Sequence, residues 1–336
     1  LKNKGLEKYL IDLYSFYSDW FGHNETISVQ SSGSTGPPKT IVFNKRQLVE
    51  SARQTGSFFN LKNMQNVLLC LPTHFIAGKM MVVRALVYNL DIITVKPSST
   101  PLKNFHQKIG FAAMTPQQVF SSLQDAEDFL NINTLIIGGG EVSDELQKRL
   151  QALSTACYAT YGMTETLTHI AVRKLNGTNI QNTFVCLPGI KIKTDNRDCL
   201  IVSANYLSKE IITNDIVELV TENEFRWIGR HNNVINSGGI KINPEKIEKT
   251  INSFFTGNFF ISSQPDPVFG EKVIMIIEGS EPSEEIKNSF FDKLKNKLPA
   301  FHCPKEIYYT PELIYTTSGK INRKQSLAKS DLVSYF

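Results

Sequence analysis

Nine consecutive residues, SSGSTGPPK at positions 31–39, have the composition of a loop that binds phosphate. Glycine lets backbone N–H groups turn towards an anion, the hydroxyl side chains add hydrogen-bond donors, and the lysine adds positive charge. A flexible Gly/Ser linker is the alternative, but the segment lies between strand-like runs at 26–30 and 40–43, where a linker is unexpected. A Walker A loop is excluded, because proline precedes Lys39 and a β-branched run follows it instead of a helix. The candidate phosphate ligands are Ser31, Ser32, Gly33, Ser34, Thr35, Gly36 and Lys39.

A second candidate group lies in YATYGMTE, residues 158–165. A Mg²⁺ ion that bridges phosphates takes one or two carboxylates together with substrate oxygens, which makes Glu165 a candidate metal ligand. Thr164 can donate to a phosphate oxygen, and Gly162 lets the backbone approach a nucleotide beside Tyr161. An isolated glutamate is more often a solvated loop residue, and it is the family resemblance described next that favours the metal site.

These strings resemble motifs of the acyl-adenylate-forming family, which includes acyl-CoA synthetases, luciferases and peptide-synthetase adenylation domains. The loop at 31–39 is similar to the family's Ser/Thr/Gly-rich motif, and residues 161–165 are similar to its Tyr-Gly-x-Thr-Glu signature, the most specific match. The resemblance extends over residues 28–324. It implies a ligase that uses ATP, Mg²⁺ and CoA: a carboxylic acid is first joined to AMP, and the thiol of CoA then displaces AMP.

The resemblance also implies two contacts to the nucleotide sugar. Asp215 matches the aspartate that holds both ribose hydroxyls, a role that suits an acceptor-only carboxylate. Asn214 replaces the glycine that usually precedes this aspartate, so the sequence leaves the geometry of the expected turn open. Arg230 is the expected contact to ribose or phosphate.

Further matches concern the C-terminal part. Asn232 occupies the family's hinge position, where aspartate or lysine is commoner, and Gly238 and Gly239 match the turn beside the pantetheine tunnel. Lys320, in TSGKINR at 317–323, resembles the adenylation lysine, whose charge offsets the charge that develops on the carboxylate and the α-phosphate. A solvated tail lysine is the alternative interpretation.

The acyl pocket is implied by three segments. The glycines of IIGGGE at 136–141 form either a plain tight turn or the family's pocket loop, with Gly138 on the acyl side and Gly139 and Gly140 on the nucleotide side. His74 begins HFIAGKMMVVRAL, a segment that looks like that of the compact o-succinylbenzoate–CoA ligases of menaquinone biosynthesis. Arg84 interrupts this apolar run, and it either forms a structural ion pair, snorkels to the surface, or receives the second carboxylate of a dicarboxylic aromatic acid. A ligase for another aliphatic or aromatic carboxylate, transfer to a carrier protein instead of CoA, and a non-catalytic nucleotide-binding module are the alternatives.

The elements that position these residues follow an α/β pattern. Strand-like and helical stretches alternate, which favours a largely parallel sheet. The predicted strands are 26–30, 40–43, 67–71, 91–95, 111–114 and 134–137, and the predicted helices are 6–21, 44–59, 79–90, 116–130 and 143–153. Short strands after 187 indicate a small β subdomain, and a helix near 244–255, a strand at 273–277 and a helix at 283–297 indicate an α+β region before a polar tail. We therefore predict an AMP-binding domain over 1–230, without most of the family's N-terminal subdomain, and a mobile α+β domain over 231–336.

Composition sets the class of protein. The 336 residues are 41% hydrophobic and 20% charged with a net charge of +4, which fits a globular enzyme without a nucleic-acid partner. No run approaches the roughly 20 apolar residues of a membrane span. Five cysteines form no CxxC pair, which favours a reducing compartment and a cytoplasmic enzyme of small molecules. Nothing in the sequence indicates an oligomeric state.

Overall fold

The chain divides into two units, each with a core of its own. The computed structural model describes residues 7–30, 39–124, 126–316 and 320–329. Unit 1 comprises Leu1–Lys193, Ile201–Ile211 and Leu219–Arg226, and unit 2 comprises Thr194–Leu200, Ile212–Glu218 and Trp227–Phe336. No helix in the described ranges is both long and apolar enough to cross a membrane.

The helices and strands are numbered in chain order. The helices are α1 (Lys8–Phe21), α2 (Lys45–Phe59), α3 (Ile76–Tyr88), α4 (Pro116–Ser122), α5 (Asp144–Leu150), α6 (Pro244–Asn252), α7 (Glu284–Lys297) and α8 (Arg323–Lys329). The strands are β1 (Thr26–Gln30), β2 (Thr40–Asn44), β3 (Asn66–Leu69), β4 (Asp91–Thr94), β5 (Ile109–Met114), β6 (Ile132–Ile137), β7 (Ala156–Gly162), β8 (His169–Lys174), β9 (Phe184–Cys186), β10 (Ile190–Thr194), β11 (Cys199–Ala204), β12 (Ile211–Thr221), β13 (Glu224–Arg230), β14 (Ile235–Ser237), β15 (Ile240–Ile242), β16 (Phe259–Asp266), β17 (Gly270–Glu278) and β18 (Glu306–Thr310).

Unit 1 is built on a mixed sheet in the order β9-β8-β7-β6-β5-β3-β4. The neighbouring pairs from β4 to β7 are parallel, and β8 and β9 are antiparallel to their neighbours. Beyond β9 the strand order continues through β13, β12, β11 and β10, and the division between the units falls within these strands. The carboxyl ends of β3, β5, β6 and β7 therefore meet at one edge, where ligands bind in open α/β sheets.

Local sequence explains the helices of unit 1. Asn44 caps α2 by accepting from the N–H of Arg46 at 2.9 Å, and Gln47 accepts from the N–H of Asn44 at 2.9 Å, as the capping-box pattern predicts. A Cβ on Gly56 would lie 2.0 Å from the ring of Tyr88, so glycine at this position lets α2 pack closely on α3. The predicted helix over 116–130 is wrong in its extent: α4 ends at Ser122, and only a 3₁₀ turn, Ala126–Phe129, follows it.

Unit 2 contains a second sheet, ordered β15-β14-β17-β16, with β18 parallel to β17. Alternate residues of β17 face opposite layers. Val273, Met275 and Ile277 lie in a core with residues of α6 and α7, whereas Ile274 and Ile276 lie in a core that Leu327 of α8 covers. The sequence predicts a polar tail where this short helix forms.

Candidate active site

Three of the predicted motifs follow strands of the parallel part of the unit 1 sheet and lie at the same edge of it. The segment that begins at His74 follows β3, Gly138–Gly140 follow β6, and residues 163–165 follow β7. Because β3, β5, β6 and β7 run in the same direction, their carboxyl ends form one border. The sheet therefore places motifs that are distant in the sequence along one border.

The glycine turn after β6 is shaped by close contacts. A Cβ on Gly138 would lie 2.3 Å from Thr160 Oγ1, and the Gly138 N–H donates to the carbonyl oxygen of Met114 at 3.1 Å. Gly139 has φ +81°, in the left-handed region that glycine tolerates, and a Cβ there would meet no atom within 4 Å. The turn thus holds its backbone against β7 and leaves Gly139 exposed, with open space beside it.

The turn after β7 carries Thr164 and Glu165 on a 3₁₀ helix, Thr164–Thr166. A Cβ on Gly162 would lie 2.2 Å from the carbonyl oxygen of Thr168, so only glycine fits where the chain returns into β8. Leu167, although buried, has φ +69°, an uncommon conformation for a branched residue. The turn is therefore constrained from both sides, with Glu165 exposed and Thr164 half-buried.

Tyr161 precedes this turn and lies in an aromatic cluster. Its ring packs edge-on to Phe225, with centroids 5.1 Å apart, and lies 5.9 Å from the ring of Phe184. This packing fixes the last residues of β7 and gives the motif a rigid base.

Arg84 lies on α3 and is only 2% exposed. Its Nη2 donates to Thr168 Oγ1 at 3.1 Å, its Nη1 contacts Met81 Sδ at 3.5 Å, and its Nε has no hydrogen-bond partner in the described part of the chain. Burial lowers the pKa of Arg84 to about 9, and no described carboxylate counteracts it. The structural ion pair and the snorkelling side chain are therefore both absent from the described residues.

His169 extends the contacts of Arg84 into a series of hydrogen bonds whose donors and acceptors can be assigned. Thr55 Oγ1 lies 3.2 Å from the Ser51 carbonyl oxygen, which only accepts, and 3.2 Å from His169 Nε2. Since Thr55 has one hydroxyl proton, Nε2 carries the imidazole proton, and Nδ1 accepts from Thr168 Oγ1 at 3.1 Å. Thr168 Oγ1 is then an acceptor for Arg84. Burial, and secondly the charge of Arg84, lower the pKa of His169 well below its usual range, which agrees with a neutral ring.

Two predicted residues of unit 1 lie on the surface. His74 is exposed, with Nδ1 3.7 Å from Asp12 Oδ2 and its ring 4.1 Å from that of Phe75. Lys39 is exposed directly before β2. The strands that flank the predicted phosphate loop pair antiparallel, with Gln30 opposite Thr40. The loop residues Ser31, Ser32, Gly33, Ser34, Thr35 and Gly36 lie outside the described residues.

The predicted nucleotide contacts of unit 2 form an ion pair. Arg230 Nε lies 3.0 Å from Asp215 Oδ1, and Asp215 is 5% exposed. Asn214 lies inside β12, where its Oδ1 accepts from Arg197 at 3.2 Å, and its φ is not positive. The prediction of a turn at Asn214 is therefore wrong, because the strand continues through this position and asparagine adopts its conformation without strain.

Lys320 belongs to the same unit as Asp215 and Arg230. Its N–H donates to Thr316 Oγ1 at 3.1 Å. Burial of the ammonium, and secondly the charge of Arg230, lower the pKa of Lys320, while Asp215 opposes the shift. The lysine thus lies within electrostatic range of the ion pair, although part of its surface is exposed.

The hinge and turn residues predicted for unit 2 have ordinary local explanations as well. Asn232 is exposed on a 3₁₀ turn, His231–Asn233. Gly238 and Gly239, with φ +59° and +81°, form the two-residue turn between β14 and β15, which requires positive φ at both positions. The glycines are therefore needed for the hairpin whether or not a thiol passes beside them.

Comparison with known proteins identifies the family. The model of the AMP-binding enzyme family matches residues 28–198. The chain belongs to the AMP-binding enzyme family. This agrees with the predicted resemblance and with the predicted α/β fold class, both of which are confirmed.

Relatives of this AMP-binding enzyme include two curated 2-succinylbenzoate–CoA ligases. The ligase of Haemophilus influenzae is 26% identical over 96% of this chain and 75% of its own length. The ligase of Lactococcus lactis is 24% identical over 93% of this chain and 72% of its own length. The chain thus spans about three quarters of the length of these relatives.

Solved structures support the fold. An acyl-CoA synthetase (AMP-forming)/AMP-acid ligase II-like protein from Dyadobacter fermentans is 33% identical, with a TM-score of 0.64 over 96% of this chain and 95% of its own. The O-succinylbenzoate coenzyme A synthetase of Bacillus subtilis, in complex with ATP and magnesium, has a TM-score of 0.75 at 20% identity over 89% of this chain and 69% of its own. These enzymes share the architecture of the AMP-binding chain.

Sequence reasoning missed the residues that surround Arg84 in this AMP-binding enzyme. Thr168 and His169 follow the 158–165 string by only three and four positions, which was the available signal. Thr55 lies on α2, far from the motif in sequence, and had no such signal. All three enter the site through tertiary contacts.

Proposed function

We propose that this AMP-binding enzyme is an ATP-dependent acid–CoA ligase that converts o-succinylbenzoate to its CoA thioester. The observation that carries the choice of acid is Arg84: its guanidinium is buried, contacts only neutral groups in the described part, and has an unpartnered Nε. A substrate with a second carboxylate supplies the missing partner. The relatives named 2-succinylbenzoate–CoA ligase support this choice.

In the first proposed step, the carboxylate of the acid attacks the α-phosphate of ATP, and pyrophosphate leaves. The Thr164 hydroxyl donates to the α-phosphate, and the loop 31–39 holds the phosphates that depart. Lys320 supplies positive charge as negative charge develops. Asp215 and Arg230 bind the ribose, and the Gly139–Gly140 turn lies beside the base.

Glu165 is the proposed Mg²⁺ ligand. Its carboxylate is exposed on a turn whose backbone is fixed by Gly162 and Leu167, and one carboxylate suits a Mg²⁺ ion whose other ligands are phosphate oxygens and water. A bound Mg²⁺ ion would offset the charge of the phosphates. Among the described residues no cluster of three or more His, Cys, Asp or Glu side chains offers another metal site.

In the second proposed step, the thiol of CoA attacks the acyl-adenylate and releases AMP. We propose that the C-terminal domain, residues 231–336, moves about Asn232 between the steps, so that Lys320 withdraws and the Gly238–Gly239 turn lines the path of the thiol. Gly138 and His74 belong to the acyl side of this site. The five cysteines are buried free thiols, which supports a cytoplasmic enzyme, and the acid places it in menaquinone biosynthesis.

ATP–pyrophosphate exchange tests the proposal. We expect exchange with o-succinylbenzoate, and CoA-thioester formation detected by mass spectrometry when CoA is added. Equal exchange with aliphatic or aromatic monocarboxylates would identify a ligase for another acid. Exchange without CoA-thioester formation would favour a carrier protein as acceptor, and silence with every acid would leave a nucleotide-binding module.

A further inference from the structure

A cluster of charged residues holds the base of the Lys320 loop, and none of the proposed catalytic roles uses it. Arg323, the first residue of α8, follows Lys320 by three positions. Its guanidinium donates to Glu248 Oε2 and to the carbonyl oxygen of Ile261, both at 2.7 Å, and lies 3.7 Å from Glu245 Oε1. A planar guanidinium held from these directions fixes the start of α8.

The backbone between Lys320 and Arg323 is tied to the same helix. Thr316 donates its N–H to the Lys320 carbonyl oxygen at 2.7 Å, and the Asn322 N–H donates to the Ile314 carbonyl oxygen at 2.7 Å. Ile314 in turn donates its N–H to Ser326 Oγ on α8 at 2.9 Å. A displacement of α8 therefore displaces the backbone of Lys320.

Glu245 connects this cluster to the segment that follows Arg230. Asn233 Nδ2 donates to Glu245 Oε1 at 2.6 Å, and Asn233 belongs to the same 3₁₀ turn as Asn232. The Glu245 side chain is 8% exposed, and its Oε2 has no hydrogen-bond partner in the described ranges. A Cβ on Gly229 would lie 2.6 Å from this oxygen, so the backbone before the turn packs directly against it. A buried carboxylate oxygen without a partner costs stability, which indicates a role other than stabilising the fold.

We propose that Arg323 is a positioning residue for Lys320, and that Glu245 and Glu248 couple its position to the hinge segment, residues 229–233. The inference rests on the proposed function, because it takes Lys320 as the lysine of adenylate formation. Two largely buried carboxylates share one guanidinium, so Arg323 is held between them. When residues 229–233 change conformation, Asn233 moves with them and Glu245 loses its donor. The carboxylate of Glu245 is then free to change its position relative to Arg323, which still donates to Glu248 and to the carbonyl oxygen of Ile261, and Lys320 shifts together with the hinge.

Hydrogen exchange of the full chain tests the coupling without using activity. N233A alters the hinge side only, and E245Q removes the connecting charge with little change in shape. We expect each variant to speed amide exchange in the peptide 314–323 about fivefold or more. The matched control is E306Q, which breaks the Lys272–Glu306 pair in the same unit and should leave this peptide unchanged. Wild-type exchange at 314–323 in both N233A and E245Q would overturn the coupling.

The two half-reactions test the positioning role. We expect R323A to lower kcat for adenylate formation about tenfold or more, while KM for ATP and the CoA step from preformed acyl-adenylate stay within about threefold. R323K, which keeps the charge, should restore part of the loss. Equal losses in both half-reactions together with a lower Tm would reduce Arg323 to a structural residue. If the wild-type chain shows no ATP–pyrophosphate exchange, the proposed function fails, and the hydrogen-exchange result still decides the coupling.

Discussion

Replacement of Arg84 with methionine separates substrate binding from structure. Arg84 is buried, its pKa is lowered to about 9 by that burial, and its described partners, Thr168 and Met81, are neutral. Methionine fills much of the same space and removes the charge, whereas alanine would leave a cavity. Burying the guanidinium costs desolvation free energy, and no carboxylate attraction offsets that cost. We therefore expect R84M to raise the free energy of unfolding by about 1–4 kcal/mol in the absence of ligands.

The same R84M variant should lose activity towards o-succinylbenzoate although it gains stability. A hydrogen bond to a charged group contributes about 1.5–3 kcal/mol, which corresponds to about a 10- to 150-fold loss of kcat/KM for o-succinylbenzoate. An analogue with hydrogen in place of the second carboxylate cannot make this bond. For the analogue we expect a change within about threefold, since R84M removes no interaction that it makes.

The assay combines urea unfolding with ATP–pyrophosphate exchange for both acids. The control is R173M: Arg173 is half-buried on β8, donates to Gln147 Oε1 at 3.1 Å, and has the carboxylates of Glu141 and Asp144 nearby. We expect R173M to have the same kcat/KM as the wild type for both acids. If R84M is less stable than the wild type and keeps its kcat/KM for o-succinylbenzoate, Arg84 is a structural residue and the choice of acid loses its support.

The remaining predictions concern the charges of His169, Glu165 and Lys320. Because burial and Arg84 lower the pKa of His169, the unfolded chain binds this proton more readily, and stability should fall as pH drops below about 6.5, by up to about 1.4 kcal/mol per pH unit. Urea unfolding of H169Q should lack this part of the slope, and an unchanged slope would contradict a buried neutral imidazole. E165Q should raise the Mg²⁺ concentration for half-maximal pyrophosphate exchange about tenfold or more, and an unchanged Mg²⁺ dependence would exclude Glu165 as the ligand. K320M should slow adenylate formation about 100- to 1,000-fold and spare the CoA step. Burial and Arg230 lower the pKa of Lys320, so the ammonium loses its proton at a lower pH than a free lysine, whose pKa is about 10.4. The rate of wild-type adenylation should therefore fall as the pH rises through this lowered pKa, and K320M should not show that fall.

Sequence predicts best where a local pattern determines the conformation. The Asn44–Gln47 capping box predicts the start of α2, and the glycine pair 238–239 fits the positive φ values of the β14–β15 turn. The strand-like runs at 67–71, 111–114 and 134–137 predict β3, β5 and β6. Their parallel pairing, continued by that of β6 with β7, brings the glycine turn and the 158–165 motif to one edge.

Prediction fails where distant residues decide. The seven-residue helix α8 is too short to be stable alone, and it forms where Leu327 covers Ile274 and Ile276 and where Arg323 meets Glu248. The sequence does not predict the surroundings of Arg84 for the same reason, because Thr55, Arg84 and Thr168 come from three separate parts of the chain. A sequence pattern shows that a charge lies in an apolar run, but only the fold shows that its neighbours are neutral.

The surroundings of the buried cations distinguish substrate binding from structure. Burial lowers the pKa of Lys79 and Arg173, but Asp12 and Asp19 oppose the shift for Lys79, and Glu141 and Asp144 oppose it for Arg173. For Arg84 no described carboxylate opposes it, although Arg84 is the most deeply buried of the three. A carboxylate of the chain beside Arg84 would neutralise the guanidinium and leave little attraction for a substrate anion. Thr168, which is itself fixed by His169, instead accepts a hydrogen bond from the guanidinium as a neutral group. The guanidinium therefore keeps its orientation, and its charge is not neutralised by the chain. This arrangement costs stability in the free enzyme and is explained if the acid that binds supplies the missing carboxylate.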